Sequence, residues 1–166
     1  MRAIVTSLTF VLIAASAMAQ QPGGAAQTMK LFASSSDVAA LQAKAKTDLK
    51  EGQPMVAERI LSLAPYNINL EYRPGIAPAS IHEKEAELFY VIDGSGTFIT
   101  GGKLLNEKRT NAANLSGTGL EGGSPRDVAK GDFWIVAENV PHWFSKVNGS
   151  ITVMTFHVPH PVSAEH

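Results

Sequence analysis

The chain has 166 residues, of which 45% are hydrophobic and 17% are charged, and its formal net charge is −1. This composition predicts one globular domain with a hydrophobic core, and the nearly balanced charge argues against a nucleic-acid partner, which would need a basic surface. The sequence contains no cysteine, so disulfide bonds, thiolate metal ligands and cysteine nucleophiles are excluded.

The first 19 residues have the pattern of a secretory signal peptide. Arg2 precedes a short apolar run, and Ala17, Met18 and Ala19 form the A-x-A pattern of a cleavage site. The run is shorter than the roughly 20 apolar residues that a membrane-spanning helix needs. We therefore expect cleavage after Ala19, export to a bacterial periplasm rather than to the medium, and no stable membrane span afterwards. A retained N-terminal anchor is the alternative.

A single helix is predicted near the start of the processed chain. Residues 20–30 are rich in proline, glycine and glutamine, so they are expected to form a flexible terminus. Residues 31–53 follow as the helical segment, in which Ser35 or Ser36 would cap the helix and Asp37 would favour its first turn. An apolar stripe would pack this helix on the outside of the protein body, with a partner-binding surface as the alternative. The stripe consists of Val38, Leu41, Ala45 and Leu49.

The rest of the chain has the pattern of short β-strands. Residues 55–65 and 66–75 are predicted strands, and the second alternates apolar and polar side chains, which indicates one buried face. Residues 87–102 are predicted to form a hairpin around the turn at Asp93–Gly96. Many short strands with turn signals between them indicate an antiparallel barrel or sandwich. Further strands are predicted at residues 132–140 and 150–159.

A long polar segment separates the two groups of strands. Residues 101–130 are rich in glycine, and a connection of this length is uncommon unless it has a function or is disordered. We interpret it as a surface excursion that forms a lid over the barrel mouth or a dimer contact. Residues 117–122 match the pattern G-x-G-x-x-G, but the sequence around them predicts neither the preceding strand nor the following helix of a nucleotide site, so we interpret them as a loop.

A glutamate at the start of a predicted strand is the first candidate for a metal ligand. Side chains alternate along a strand, so Glu87, Phe89 and Val91 share one face. If Phe89 and Val91 fill the barrel interior, Glu87 points inward as well, where its carboxylate must be neutralised, paired or metal-bound. His82 lies five residues before Glu87, and His142 follows a later predicted strand. Two neutral imidazoles and one carboxylate would suit a divalent transition metal.

Each of these residues also has a simpler interpretation. His82 could be an exposed turn residue, and His142 could be a hydrogen-bonded core residue. Glu87 could pair with Lys84 or Arg73, and Glu83 or Glu85 could serve as a reserve carboxylate. Other histidines are weaker candidates: His157 is interpreted as a residue of a strand end or cavity rim, and His160 and His166 are expected to be exposed in the C-terminal tail. The candidates for a general acid or base are Glu85, Tyr90 and His157.

The spacing of these residues resembles the conserved motifs of the cupin superfamily. The first motif spans residues 75–94, in which His82 matches the second histidine and Glu87 matches the glutamate. Ser80 stands where the first histidine is typical, and His142 matches the histidine of the second motif. The resemblance implies an all-β fold, namely the cupin antiparallel β-barrel (a double-stranded β-helix or jelly roll) with a short N-terminal helix. The implied barrel spans residues 54–158, and residues 159–166 form the tail.

The resemblance also implies a metal centre inside the barrel. His82, Glu87 and His142 would hold Fe, Mn, Ni or Zn, all of which accept this donor set. The implied function is a metal-dependent enzyme that acts on a small oxygen-rich organic molecule, as a dioxygenase, isomerase or lyase. Because Ser80 removes one typical ligand, the alternative is a non-catalytic periplasmic protein that binds a small molecule at a degenerate metal site. Edge strands of such a barrel are a candidate surface for a homodimer.

Overall fold

The computed structural model describes residues 29–160 of the chain. The predicted signal peptide, most of the predicted flexible terminus and residues 161–166 lie outside the described residues. Within the described range, no helix has the length and apolar character needed to cross a membrane. This range contains one helix and eleven strands. They are α1 (Ser35–Asp48), β1 (Val56–Leu63), β2 (Tyr66–Arg73), β3 (Ala79–His82), β4 (Glu85–Thr100), β5 (Lys103–Leu105), β6 (Lys108–Arg109), β7 (Asn114–Gly117), β8 (Gly119–Glu121), β9 (Ser124–Ala129), β10 (Phe133–Val136) and β11 (His142–Pro159).

The N-cap of α1 is Ser34, so the predicted cap at Ser35 or Ser36 is wrong. The hydroxyl of Ser34 accepts a hydrogen bond from the backbone N–H of Asp37 (3.2 Å), and the Asp37 carboxylate accepts one from the backbone N–H of Ser34 (2.8 Å). This reciprocal pair satisfies two donors that would otherwise lack a partner. As predicted, α1 packs its apolar stripe on the outside of the strands, where Ala45 is fully buried. The cluster around Ala45 includes Val38, Leu41, Ile60 and Leu70.

Both faces of β2 are buried, although its sequence predicted one buried face. Strands β1 and β2 form an antiparallel pair. The apolar side chains of Ile68, Leu70 and Tyr72 pack in the cluster with α1. The alternate side chains point into the protein, where Glu71 and Arg73 line an interior cavity. The helix therefore covers the apolar face of β2, and the polar face contributes to the inside of the barrel.

Strands β4 and β11 are long, bent and paired with each other along most of their length. The hairpin predicted around Asp93–Gly96 is wrong, because the chain continues through these residues as part of β4. Gly94 lies at the bend with φ +85°, and a Cβ there would collide with the backbone carbonyl oxygen of Ser150 on β11. This glycine is therefore needed for the close approach of two strands and not for a tight turn.

The bends fold the nine-stranded sheet into two layers. In the first layer, the first half of β4 pairs with β10 and with the second half of β11, which also pairs with β2. In the second layer, the second half of β4 pairs with β9 and with the first half of β11, which meets β3. This largely antiparallel, mostly β arrangement is the predicted jelly roll.

The segment 101–130 lies largely at the surface, as predicted, but it forms β-strands and is not the irregular connection that the sequence indicated. Strand β7 pairs with β3, and β9 pairs with β4, so both extend the second layer. Strands β5 and β8 form a small sheet of their own. The G-x-G-x-x-G pattern at residues 117–122 covers the end of β7 and all of β8, so it is mostly strand, and no helix opens from it.

An aromatic core fills the space between the two layers. Phe89 comes from the first layer, whereas Phe98 and Phe144 come from the second, and all three are at most 3% exposed. Trp134 of β10 stacks on Phe89 with the ring centroids 5.0 Å apart and the planes 5° from parallel. Close-packed rings of this kind resist rearrangement, so this core restricts the movement of the side chains that pack against it.

Candidate metal centre

Three strands bring the predicted ligands together on the inner side of the barrel. His82 is the last residue of β3, Glu87 lies near the start of β4, and His142 is the first residue of β11. Strand β11 pairs with β3 and with β4 at this site: His142 lies opposite Ser80 of β3, and His157 lies opposite Glu87 of β4. Residues opposite each other in a sheet project to the same side, so all these side chains point into one interior.

Glu87 is the centre of the cluster. Its oxygen Oε2 lies 3.1 Å from Nε2 of His82 and 3.1 Å from Nε2 of His142. The three ligand atoms lie within 4.8 Å of one another. Nitrogen and oxygen ligands about 2.1 Å from one ion would lie roughly 3–3.5 Å apart, so this spacing suits a shared metal ion. The structure therefore brings together all three residues that the sequence predicted as ligands.

The hydrogen bonds on the far side of each imidazole favour the tautomer that binds metals. Nδ1 of His142 lies 3.0 Å from the carbonyl oxygen of Val140, which only accepts hydrogen bonds, so Nδ1 carries the proton. In a neutral His142, Nε2 then presents a lone pair to the carboxylate of Glu87 at 3.1 Å, so this contact requires either a metal ion between the two atoms or a second proton on the ring. Nδ1 of His82 similarly contacts Oδ1 of Asn114 at 2.9 Å. The donor set therefore fits a divalent metal.

Burial and charge act in opposite directions on the titration of the cluster. Burial raises the pKa of Glu87, but hydrogen bonds from His142 and His82 and positive charge on His142 and His157 lower it by more, so the pKa of Glu87 lies far below its usual range. Burial lowers the pKa of His82, but the Glu87 carboxylate together with Asn114 and Glu85 raises it by more, so the pKa of His82 lies above its usual value. Glu87 is therefore ionised at neutral pH even without a metal.

A third histidine, His157 of β11, extends the cluster on its other side. Its Nε2 lies 3.5 Å from Oε1 of Glu87, which is the carboxylate oxygen that faces neither His82 nor His142. Its Nδ1 lies 2.9 Å from Oε1 of Glu85. Together with His82 and Glu85 it forms a second group of ligand atoms within 4.8 Å, and it does not belong to the first group. This position suits a residue that holds the Glu87 carboxylate in place.

The interpretation of His157 as a strand-end or rim residue missed this contact. Alternation in the sequence does not identify the inward phase of this strand, because Met154, Phe156 and Val158 make the opposite phase equally apolar. In the structure, His157 is in phase with Val153 and Thr155, which are both fully buried. That phase points His157 inward. Its contact with Glu87, however, depends on the register between β4 and β11, and no local pattern in either strand specifies that register.

The family profile of the cupins matches residues 55–163. The chain belongs to the cupin family. Among solved structures, this cupin is similar to the Streptomyces protein PAC13 with uridine (12% identity, 69% of this chain and 77% of that one, TM-score 0.46). It is also similar to a conserved Klebsiella pneumoniae protein with a double-stranded β-helix domain (14% identity, 67% and 81% coverage, TM-score 0.47). A third similar structure is that of FeII HppE (15% identity, 66% and 53% coverage, TM-score 0.49). The comparison with curated protein sequences finds no match for this chain.

The interior of this cupin contains a cavity that opens beside the histidine cluster. Its volume is ≈ 140 Å³, about ten times the ~10–15 Å³ that one water molecule needs. Ser80 lines this cavity next to His142, so the short serine side chain leaves space where the cupin motif typically has an imidazole. The cavity therefore has room for a small organic molecule against the cluster. Its other lining residues include Glu71, Arg73, Phe98, Trp143 and Phe144.

Other polar candidates lie away from this cavity or have other partners. Tyr90 is 38% exposed and projects from the opposite face of β4, so it is not placed to act as a general acid or base here. Glu83 forms an ion pair with Arg109 at 2.7 Å. His160 is exposed as predicted, with 62% of its side chain accessible. Arg73 pairs with Glu71 and not with Glu87.

Proposed function

We propose that this cupin is a metal-dependent enzyme that acts on a small oxygen-rich organic molecule, with His82, Glu87 and His142 as the metal ligands. The observation that carries the proposal is the convergence of two imidazole nitrogens on one buried carboxylate oxygen, each at 3.1 Å. Iron, manganese, nickel and zinc all suit such a donor set. A divalent ion held there would supply a Lewis acid for a carbonyl or enolate oxygen of the substrate.

The surrounding residues support the orientation of the ligands. The ring of His142 lies against Phe98, with centroids 6.0 Å apart and planes 26° from parallel. The hydrogen bond from its Nδ1 to Val140 fixes the other edge of the ring. His157 approaches the outer oxygen of Glu87. His142 and Glu87 are thus each held by a neighbour that does not itself need to bind the ion, as is Nδ1 of His82 by Asn114, and such contacts maintain ligand geometry in metal sites.

The presence of a further titratable side chain in the cavity favours an enzyme over the alternative, a non-catalytic binding protein of the periplasm. A catalytic centre needs a group that exchanges protons with the substrate, at hydrogen-bond distance or through one water. His157 lines the same cavity as the proposed ligands, and Glu85 lies behind it at 2.9 Å. A cavity that served only for binding would not require this pair.

Elemental analysis tests the metal centre directly. Wild-type protein purified from a periplasmic extract should contain an equimolar amount of one transition metal. His142→Ala and Glu87→Gln should contain only traces, because each removes one of the three ligands. His160→Ala is the matched control, since it removes an exposed histidine away from the site and should keep the full metal content. Equal trace metal in the wild type and in His142→Ala would contradict the proposal.

A turnover screen separates the enzyme from the binding protein. The metal-loaded wild type is incubated with small hydroxy acids, oxo acids and sugars, under air and under nitrogen, and the products are identified by mass spectrometry. Turnover that stops when a chelator removes the metal would support the enzyme. A compound that binds to the metal-loaded protein and is recovered unchanged under all conditions would favour the binding protein.

A further inference from the structure

A second pair of charged side chains faces the cavity from the strand β2. Nη2 and Nε of Arg73 lie 2.6 Å and 3.1 Å from the same oxygen, Oε2 of Glu71. The two side chains are only 13% and 10% exposed. Both line the cavity that holds His82, Glu87 and His142. The cavity therefore has a histidine–glutamate cluster and, separately, a guanidinium group in its walls.

The guanidinium of Arg73 keeps donors for a ligand. A guanidinium has five N–H donors, and a planar carboxylate binds along its edge through two parallel hydrogen bonds. Glu71 engages Nε and Nη2 through one oxygen, and among residues 29–160 no hydrogen bond reaches Nη1. The carbon at the centre of the group lies 5.3 Å from the ring centroid of Phe144, so one flat face is covered by that ring. A ligand would therefore meet the guanidinium at its Nη1 edge.

A buried ion pair of this kind is not explained by stability alone. Taking two charges out of water costs about as much as their attraction returns, and well-packed apolar side chains in their place are often equally stable or more stable. The aromatic side chains of Phe89, Phe98 and Phe144 also line this cavity, so the pair lies beside apolar packing as well as beside the histidine–glutamate cluster. A charged pair among them is accounted for if one of its members binds a ligand.

The charges around the cavity favour an anion. Glu71 and Arg73 cancel each other, and Glu87 contributes one negative charge beside a divalent ion. With neutral imidazoles the walls and the ion together have a net charge of about +1, which one negative ligand charge would neutralise. The volume of ≈ 140 Å³ limits this ligand to a small molecule. A carboxylate fits both the charge and the planar edge of Arg73.

We propose that the cavity binds a small organic monocarboxylate, with its carboxylate on Arg73 and its remaining oxygen-containing group toward His82, Glu87 and His142. This statement rests on the proposed function for the position of the oxygen-containing group and for the net positive charge that the ion contributes, whereas the hydrogen-bond donors of Arg73 are present without the ion. Glu71 then acts as an internal competitor for Arg73, because it occupies donors that the ligand would otherwise use.

This arrangement predicts effects of opposite sign for the two members of the pair. Lactate and pyruvate are titrated into the metal-loaded protein by calorimetry at constant ionic strength, with lactamide and pyruvamide as uncharged analogues of the same shape. Arg73→Gln should weaken lactate binding by about 10- to 100-fold, the range expected for a lost hydrogen bond to a charged group. Glu71→Gln should strengthen lactate binding, because it releases Arg73. Lactamide should bind weakly to all three proteins.

Controls separate ligand binding from folding. Circular dichroism establishes that each variant is folded, and the double variant Glu71→Gln/Arg73→Gln removes both charges, so no unpaired charge is left buried. Its lactate affinity should be as low as that of Arg73→Gln. Arg59→Gln, at an exposed position on β1, is the matched control and should bind lactate like the wild type. If Arg73→Gln binds lactate as tightly as the wild type, or if inorganic phosphate binds more tightly than either carboxylate, the inference is overturned.

The metal content of the same samples keeps the two proposals distinguishable. If every sample has its full metal content but lactate binding does not depend on Arg73, this inference is overturned and the proposed function still stands. A wild type without metal overturns the proposed function, whereas lactate binding that still depends on Arg73 supports the carboxylate site by itself.

Discussion

Replacing Glu87 by glutamine should destabilise the metal-free protein, and the size of the effect should depend on pH. Glutamine keeps nearly the same shape but removes the negative charge that faces two imidazoles. Glu87 is 4% exposed, and its Oε2 has contacts of 3.1 Å to both His82 and His142. Breaking a buried ion pair by removing one partner costs about 3–5 kcal/mol. For a protein of this size, such a loss lowers Tm by roughly 10 °C.

The pH window follows from the two pKa shifts. The lowered pKa of Glu87 stabilises the fold above the ordinary value of 4.5, and this contribution disappears as the pH falls toward the pKa in the folded state. The raised pKa of His82 stabilises the fold below the ordinary value of 6.5, and this contribution disappears as the pH rises through the pKa in the folded state. The difference in Tm between wild type and Glu87→Gln should therefore be largest between about 4.5 and 6.5.

Thermal unfolding followed by circular dichroism measures this difference, with a chelator present and at constant ionic strength from pH 4 to 9. Glu83→Gln is the matched control, because it makes the same chemical change at an ion pair whose Arg109 side chain is 51% exposed. Exposed pairs contribute about 0–1 kcal/mol, so this control should lose at most a few degrees. A difference for Glu87→Gln that stays constant across the whole range would refute the role of the charge.

Two further substitutions test the bend of β4 at Gly94 and the position of Ser80, where the cupin motif typically has a histidine. Gly94→Ala should lower the free energy of unfolding, measured in urea, by about 3 kcal/mol or more, because the new Cβ would collide with the Ser150 carbonyl at a residue with positive φ. Gly75→Ala is the control: no atom lies within 4 Å of its new Cβ, so it should change the free energy of unfolding by under about 1 kcal/mol. Equal effects would argue against the close approach of the strands. Ser80→His should raise metal affinity roughly 100-fold in chelator competition, because a four-ligand zinc site provides about 10–16 kcal/mol, or about 3 per ligand. An unchanged affinity would show that this position does not face the ion.

The sequence by itself contained the evidence for the fold family and for the three residues that meet at the candidate metal centre. Alternation along residues 87–91 was enough to point Glu87 into the same interior as Phe89, and both are buried. The separations of His82, Glu87 and His142 reproduce the spacing of the family motifs. These inferences succeeded because side-chain direction within a strand is local: it depends on a two-residue repeat and on burial, and needs no knowledge of the neighbouring strand.

Only the tertiary structure decided which distant residues meet. The glycines at 94 and 96 signal a turn in the sequence, yet the chain passes through them as a bent strand, because β11 comes close on one side. The register of that pairing places His157 beside Glu87, and the helix that covers one face of β2 leaves Arg73 to face the cavity. Register and layer order result from the packing of strands far apart in sequence, where one residue of slip would reverse every side chain.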